Sequence, residues 1–287
     1  GFEVLHQDAA SIQVAVPYNK PDISIAADLV EEILRIDGLD NIEIPTAITI
    51  SPSVDLLETK EQFKNKIANY LVGRGYTEIL TNSITNSKYY SAEQLETTVK
   101  MLNSLSADLD VMRPTMLETG LETIAYNNNR KNESISFFEM GKIYAKTAAG
   151  KYQEHETLAI YLSGKQMQDS WRAKATEQDF FVLKGIGLAI CELLGLKKVH
   201  YNPTGHGQFE VITGKTVLGT IELVGAKKLA QFDIKQAVGF LNFDLTTLFN
   251  AYQSGSVKYQ EISKYPSVER DLALVIDQSV AYATIEQ

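Results

Sequence analysis

Four carboxylates, Asp22, Asp28, Glu31 and Glu32, stand close together near the start of the chain. On a helix, residues three and four apart share a face, so Asp28 lies beside Glu31 and Glu32, with Asp22 on the incoming turn and Arg35 one turn further along. Oxygen ligands converging in this way suit a hard divalent cation such as magnesium, which keeps several waters and takes only a few carboxylates. The same residues also describe a solvated acidic face carrying a Glu31–Arg35 pair. The spacing leaves both readings open.

The other chemistry-bearing residues are sparse. Arg113, in Met112-Arg113-Pro114-Thr115 ahead of an expected helix, offers a planar fork suited to anchoring a carboxylate or backbone carbonyls. His6, His155, His200 and His206 are scattered, never as H-x-x-x-H, so a zinc hydrolase site has little support. Cys191 is the one cysteine, which excludes an intrachain disulfide, fits a reducing compartment and reads as a buried apolar residue on a helix. There is no G-x-x-x-x-G-K-[ST]. Gly185-Ile186-Gly187 is a lone G-x-G in an apolar helical run and reads as a close-packing feature.

The elements that must position these residues follow from periodicity. Ser11 to Pro17 alternates as a strand, and the apolar positions from Ser24 to Gly38 fall at helical spacing. Ile44-Pro45 to Ser51-Pro52 reads as an extended linker and a domain boundary. Helices are expected over Val54 to Leu71, Met116 to Asn127 and Phe180 to Leu194. Strands are expected over Tyr76 to Ile84, Ile135 to Phe138, Leu158 to Leu162, Phe209 to Ile212, Val217 to Val224, Val238 to Leu245 and Leu272 to Ile276. This order argues for an α+β fold, an antiparallel sheet flanked by helices, rather than strict βαβ alternation.

The chain has 287 residues, 44% hydrophobic and 22% charged, which excludes a disordered or fibrous protein. The most apolar stretch, Gly185 to Leu196, contains Glu192 and falls short of the ~20 residues a membrane helix needs, so no membrane partner is expected. Gly1-Phe2-Glu3 is no signal peptide, and a start at Gly suggests a piece of a longer chain. The net charge of -9 repels nucleic acid unless local basic patches intervene.

Pro21-Asp22-Ile23 and Ala27-Asp28-Leu29-Val30-Glu31-Glu32-Ile33-Leu34-Arg35-Ile36-Asp37-Gly38-Leu39-Asp40-Asn41-Ile42, followed by Pro45, resemble the signature P-x-x-R-x-D-I then D-L-I-E-E-I-A-R-I-x-G-Y-D-x-I-P. That signature belongs to the family of bacterial phenylalanine–tRNA ligase beta subunits. Lys20 replaces its usual Arg, and Leu39 and Asp37 replace two usual tyrosines. Further along, Leu102 to Ser106, Val111 to Leu117, Phe137 to Tyr144, Asp179 to Gly185 and Tyr265 to Ala273 resemble other family segments, whereas Thr204 to Gln208 departs from its H-P-G-R-S.

The resemblance implies a class II aminoacyl-tRNA synthetase-like core over residues 53–256. Before it, residues 1–48 would be the C-terminal half of a magnesium-binding winged-helix-like domain; after it, residues 259–287 would be a truncated start of a ferredoxin-fold anticodon-binding domain. The family's upstream editing part would lie outside this stretch. Asp22, Asp28, Glu31 and Glu32 map one to one onto residues described as magnesium ligands. An alpha subunit binding ATP and phenylalanine would be the partner in an α2β2 assembly acting on tRNA(Phe) in the cytoplasm. A catalytic class II core needs arginines at the adenylate phosphates, where charge develops. Here the Gly-rich third motif is missing, and Glu139 stands without the Arg of the usual R-x-E. The expected role is therefore a catalytically silent scaffold and interface. A nucleic-acid-binding regulator is the alternative, but residues 1–48 offer only Lys20 and Arg35 as cations among nine acids. A metal-dependent hydrolase built on the acidic cluster would need a general base nearby.

Overall fold

The computed structural model describes residues 1–50, 59–104, 106–167, 169–205, 207–255, 259, 261–280 and 282–285. The chain divides into two compact units, residues 1–56 and residues 57–287.

In the first unit, β1 (Glu3–Gln7) pairs antiparallel with β2 (Ile12–Ala15), Glu3 opposite Ala15. Asp8 closes the turn by accepting from the Ala10 and Ser11 amides at 2.8 and 2.7 Å. The expected strand over Ser11 to Pro17 is thus one arm of a hairpin whose other arm the alternation did not reveal. Helix α1 (Ala26–Asp37) ends at Gly38, where φ is 99° and the amide donates to Leu34 O at 2.8 Å. No described residue of this unit is fully buried, and Val30 and Ile33 on α1 stay exposed.

The second unit begins with α2 (Lys60–Gly73), β3 (Thr77–Glu78), β4 (Ile84–Thr85), α3 (Ala92–Thr97), β5 (Val111–Met112) and α4 (Leu117–Asn128). The long strands β6 (Ile135–Lys146) and β7 (Tyr152–Ser163) follow, then the short hairpin β8 (Lys165–Met167) and β9 (Thr176–Glu177), and α5 (Phe180–Leu193). The remainder is β10 (Val199–Gly205), β11 (Gln208–Thr213), β12 (Thr216–Leu223), α6 (Ala226–Gln231), β13 (Val238–Asp244), α7 (Leu245–Ser254) and α8 (Tyr282–Ile285). Seven strands form one sheet in the order β10-β11-β12-β13-β7-β6-β3. Every neighbouring pair is antiparallel except β3 with β6. The α+β expectation holds: the sheet is mostly antiparallel and helices flank it. Among the described residues no helix is long and apolar enough to cross a membrane.

Strand side chains alternate, so a strand buried on both faces reads as a continuous apolar run. On β7, Leu158, Ile160 and Leu162 point to one face, packed with Phe63, Ile67 and Leu71 of α2 and Leu183, Ile186 and Ile190 of α5. Ala159 and Tyr161 point to the other, packed with Leu121 and Ile124 of α4 and Leu229 of α6. Each such aliphatic or aromatic side chain contributes about 1.5–3 kcal/mol by leaving water. Cys191 is among them, and burial pushes its thiol up to about 12, so it stays protonated and inert. Gly187 packs closely as expected: an added Cβ would meet Leu241 Cδ1 at 2.7 Å, whereas Gly185 faces open space.

Three expectations need correction. Of the helix expected over Val54 to Leu71, residues 54–58 lie outside the described residues; α2 starts at Lys60 because Thr59 and Gln62 cap it reciprocally, at 3.2 and 2.8 Å. The strand expected over Tyr76 to Ile84 is two short pieces, because Thr81 turns its amide to Glu139 Oε1 at 3.2 Å instead of continuing the ladder. The strand expected over Leu272 to Ile276 does not form: no described strand pairs with it, and Leu272 and Val275 are exposed. Alternation without a pairing partner leaves the backbone to solvent.

Candidate functional site

The sheet face beneath α4 carries the most concentrated buried charge. Arg113 follows β5 and is fixed by its backbone: its amide donates to Ser83 O at 2.9 Å, and its carbonyl accepts from Tyr144 N at 3.0 Å. Its side chain is 2% exposed and that of Glu139, on β6, 0%. Arg113 Nε donates to Lys142 O at 2.8 Å; Nη1 donates to Glu139 Oε1 at 3.0 Å and Thr81 Oγ1 at 2.6 Å. The Thr81 hydroxyl in turn donates to Glu139 Oε2 at 2.7 Å. The fork therefore grips a carboxylate and a carbonyl of its own chain, the anchoring role its type suggested. The end of β5, strand β6 and the loop at Thr81 are tied through one side chain.

A second node lies just beyond it. Glu118, 1% exposed in its side chain, pairs with Lys228 Nζ of α6 at 2.8 Å and accepts from the Thr115 hydroxyl. Lys228 also donates to Tyr89 O at 2.7 Å. Tyr161 OH donates to Met116 O at 2.6 Å, and burial holds its phenol well above the usual tyrosine range, so it remains protonated. These groups engage one another. The arrangement positions elements, with Arg113 Nε and Nη1 and Lys228 Nζ bonded to the protein's own acceptors.

The four acidic residues singled out in the sequence are placed differently. Asp22 is exposed on the turn before α1, and Glu31 is exposed on the helix. Asp28, at the third helical position, turns back to accept from the Ser24 and Ile25 amides at 2.8 and 2.9 Å. Those two bonds hold its carboxyl below the usual aspartate range and satisfy otherwise orphaned donors at the helix start. Glu32 accepts from Lys20, which replaces the family's usual Arg, and from Arg35 Nη2 at 3.1 Å; the Lys20 bond is the main cause of its lowered pKa. So Arg35 pairs with Glu32, not Glu31. Among the described residues, no group of three or more His, Cys, Asp or Glu side chains lies close enough to share a metal ion. As arranged, Asp28 and Glu32 are engaged within the chain, and the four carboxylates do not converge on one point.

Sequence reasoning missed Thr81, Glu118 and Lys228. Nothing local signals them, since Lys228 reaches Glu118 across more than a hundred residues. His206 lies outside the described residues, and neither Thr204 nor Gln208 beside it belongs to the buried nodes.

Two family models match the chain: "Phenylalanyl tRNA synthetase beta chain CLM domain" over residues 44–245 and "tRNA synthetase B5 domain" over residues 1–39. Phenylalanine–tRNA ligase beta subunits of Bacteroides fragilis and Bacteroides thetaiotaomicron are 35% and 34% identical, each over 100% of this chain and 37% of the relative. That of Geobacillus kaustophilus is 28% identical over 98% of this chain and 36% of its own length. The chain thus spans a little over a third of the curated relatives it matches. Among solved structures, pyrrolysyl-tRNA synthetase from Desulfitobacterium hafniense superposes with a TM-score of 0.55 at 15% identity, over 68% of this chain and 69% of that one. That likeness is one of fold.

Proposed function

We propose a non-catalytic structural role on a premise the family matches establish: this chain belongs to the phenylalanyl-tRNA synthetase beta-chain family. Residues 53–256 form the class II synthetase-like core, preceded over residues 1–48 by part of a winged-helix-like domain and followed over residues 259–287 by the start of an anticodon-binding domain. The core is catalytically silent. It supports an alpha subunit that binds ATP and phenylalanine, in a cytoplasmic α2β2 assembly charging tRNA(Phe).

The observation that carries this reading is the commitment of Arg113. Adenylate chemistry requires preorganised cations aimed at charge that develops in the transition state. The arginine that reaches this sheet face is buried and turned onto Glu139, Thr81 and Lys142. Arg130, by contrast, lies over the Tyr126 ring at 3.3 Å and donates to Tyr126 O, a local contact on α4. The chain alone is expected to give no phenylalanine-dependent pyrophosphate exchange and no aminoacylation, while sedimenting with an alpha subunit as one complex. Exchange above background in a contaminant-free preparation would sink the silent-core reading.

Magnesium enters this proposal only as an assembly ligand of Asp22, Asp28, Glu31 and Glu32. Before they could converge, Glu32 would have to leave Lys20, and Asp28 would have to leave the start of α1. The isolated chain should therefore bind magnesium weakly, and its thermal midpoint should not respond to millimolar magnesium chloride. Lys20→Ala with Arg35→Ala, which together release Glu32, should introduce a response. A strong magnesium-dependent rise in the unsubstituted chain would show that the carboxylates gather without a partner.

A further inference from the structure

Trp171 is the only tryptophan of the chain and is 96% exposed. Left in water, an indole keeps roughly 150–250 Å² of aromatic surface unburied. Residues 169–175, which carry it between β8 and β9, are nevertheless built. Ser170 N donates to Ala173 O at 2.9 Å, and Ser170 Oγ accepts from the Arg172 and Ala173 amides at 3.3 and 3.1 Å. Asp169 Oδ1 accepts from Ala175 N at 2.8 Å, and its other oxygen faces Lys165 Nζ at 3.6 Å. The turn thus holds Trp171 outward before anything binds, so little ordering remains to oppose docking.

The surroundings indicate what would bind. Arg172 follows Trp171 directly and Lys174 lies three residues on, and neither forms a salt bridge among the described residues. Met167, at the loop end of β8, and Phe181, on α5 shortly after β9, are 52% and 75% exposed. Gln166 of β8 lines a groove of about 640 Å³ with Gly73, Arg74, Tyr76 and Gly185, and Gly185 has open space above it. Exposed Trp and Arg beside apolar surface is the composition of an interface hot spot. RNA would call for a cationic channel along the backbone, and Arg74 is the single cation lining this groove.

We infer that the β8–β9 hairpin is a protein-docking element anchored by Trp171, whose partner presents an apolar pocket rimmed by carboxylates that meet Arg172 and Lys174. The inference rests on the reading of this chain as one subunit of an assembly, where the partner is the alpha subunit.

Because Trp171 is unique, 5-fluorotryptophan labelling gives the chain a single fluorine resonance that reports this loop alone. Adding purified alpha subunit should shift and broaden the resonance at the concentrations where sedimentation shows a complex. Trp171→Ala should weaken association roughly thirtyfold or more, the size of a hot-spot truncation, with the thermal midpoint unchanged because the side chain is exposed. Arg172→Glu with Lys174→Glu should weaken it further at low salt than at high salt. A complex that forms with the resonance unmoved and with Trp171→Ala binding normally would overturn the docking role while leaving the subunit reading intact. No complex at all would remove both. A shift produced instead by tRNA, or by raising the concentration of the chain itself, would overturn the inference in favour of RNA or a second copy.

Discussion

Arg113→Ala should lower the unfolding free energy by about 3–5 kcal/mol, the cost of leaving a buried charge without its partner. Glu139 would remain fully buried with only Thr81 to satisfy it, and Lys142 O would lose its donor. Glu139→Gln should cost less, since a neutral amide still accepts from Arg113 and Thr81. The double replacement Arg113→Met with Glu139→Met separates pairing from packing: burying two charges costs desolvation that their attraction barely repays, so the double variant should be far closer to the original chain than Arg113→Ala. Urea midpoints at constant slope measure all three. In an enzyme reconstituted with the alpha subunit, Arg113→Ala should weaken assembly and leave phenylalanine KM alone. A selective rise in that KM with assembly intact would place Arg113 in substrate binding.

The fold was legible where periodicity is strong. Helices α1, α4 and α5 and the central residues of β7 and β13 announce themselves by apolar spacing, because burial imposes that spacing. The outer arms of β6 and β7 did not: Lys142, Glu154 and Glu156 give no apolar alternation, and what holds them is the ladder itself together with pairs such as Lys142–Glu154 at 2.7 Å. Helix α7 was hidden because the apolar run of β13 continues into Leu245, while the stop is the Asp244 carboxylate accepting from Thr247 N at 2.6 Å. The sites divide in the same way. Residue type alone suggested that Arg113 anchors a carboxylate, but its partner Glu139 is set by strand register. For the acidic cluster, spacing revealed a shared helical face. It could not reveal that Lys20 reaches Glu32 from the preceding turn, or that Asp28 folds back onto the start of its own helix.

Gly120→Ala tests how α4 is seated over the sheet beside that node. In an exposed helix the change would stabilise, since Ala is better than Gly by about 1 kcal/mol. Here an added Cβ would lie 2.1 Å from Tyr161 Cε1, against the 3.5–4.0 Å at which carbon atoms ordinarily rest. The ring cannot readily give way: Tyr161 is fully buried, its hydroxyl is bonded to Met116 O, and its centroid lies 5.3 Å from that of Phe240. Overpacking costs about 1–3 kcal/mol, so at the upper end the clash exceeds the propensity gain and a net loss of about 2 kcal/mol is expected. Tyr161→Leu removes both the ring and its hydrogen bond and is destabilising by itself. In that background, however, the new methyl has room and only the propensity gain remains. Gly120→Ala should then be neutral or stabilising, giving a coupling energy of about 2–3 kcal/mol between the two positions. Equal cost in both backgrounds would mean that the α4–Tyr161 approach does not decide the helix seat, and that the glycine is needed for its backbone alone.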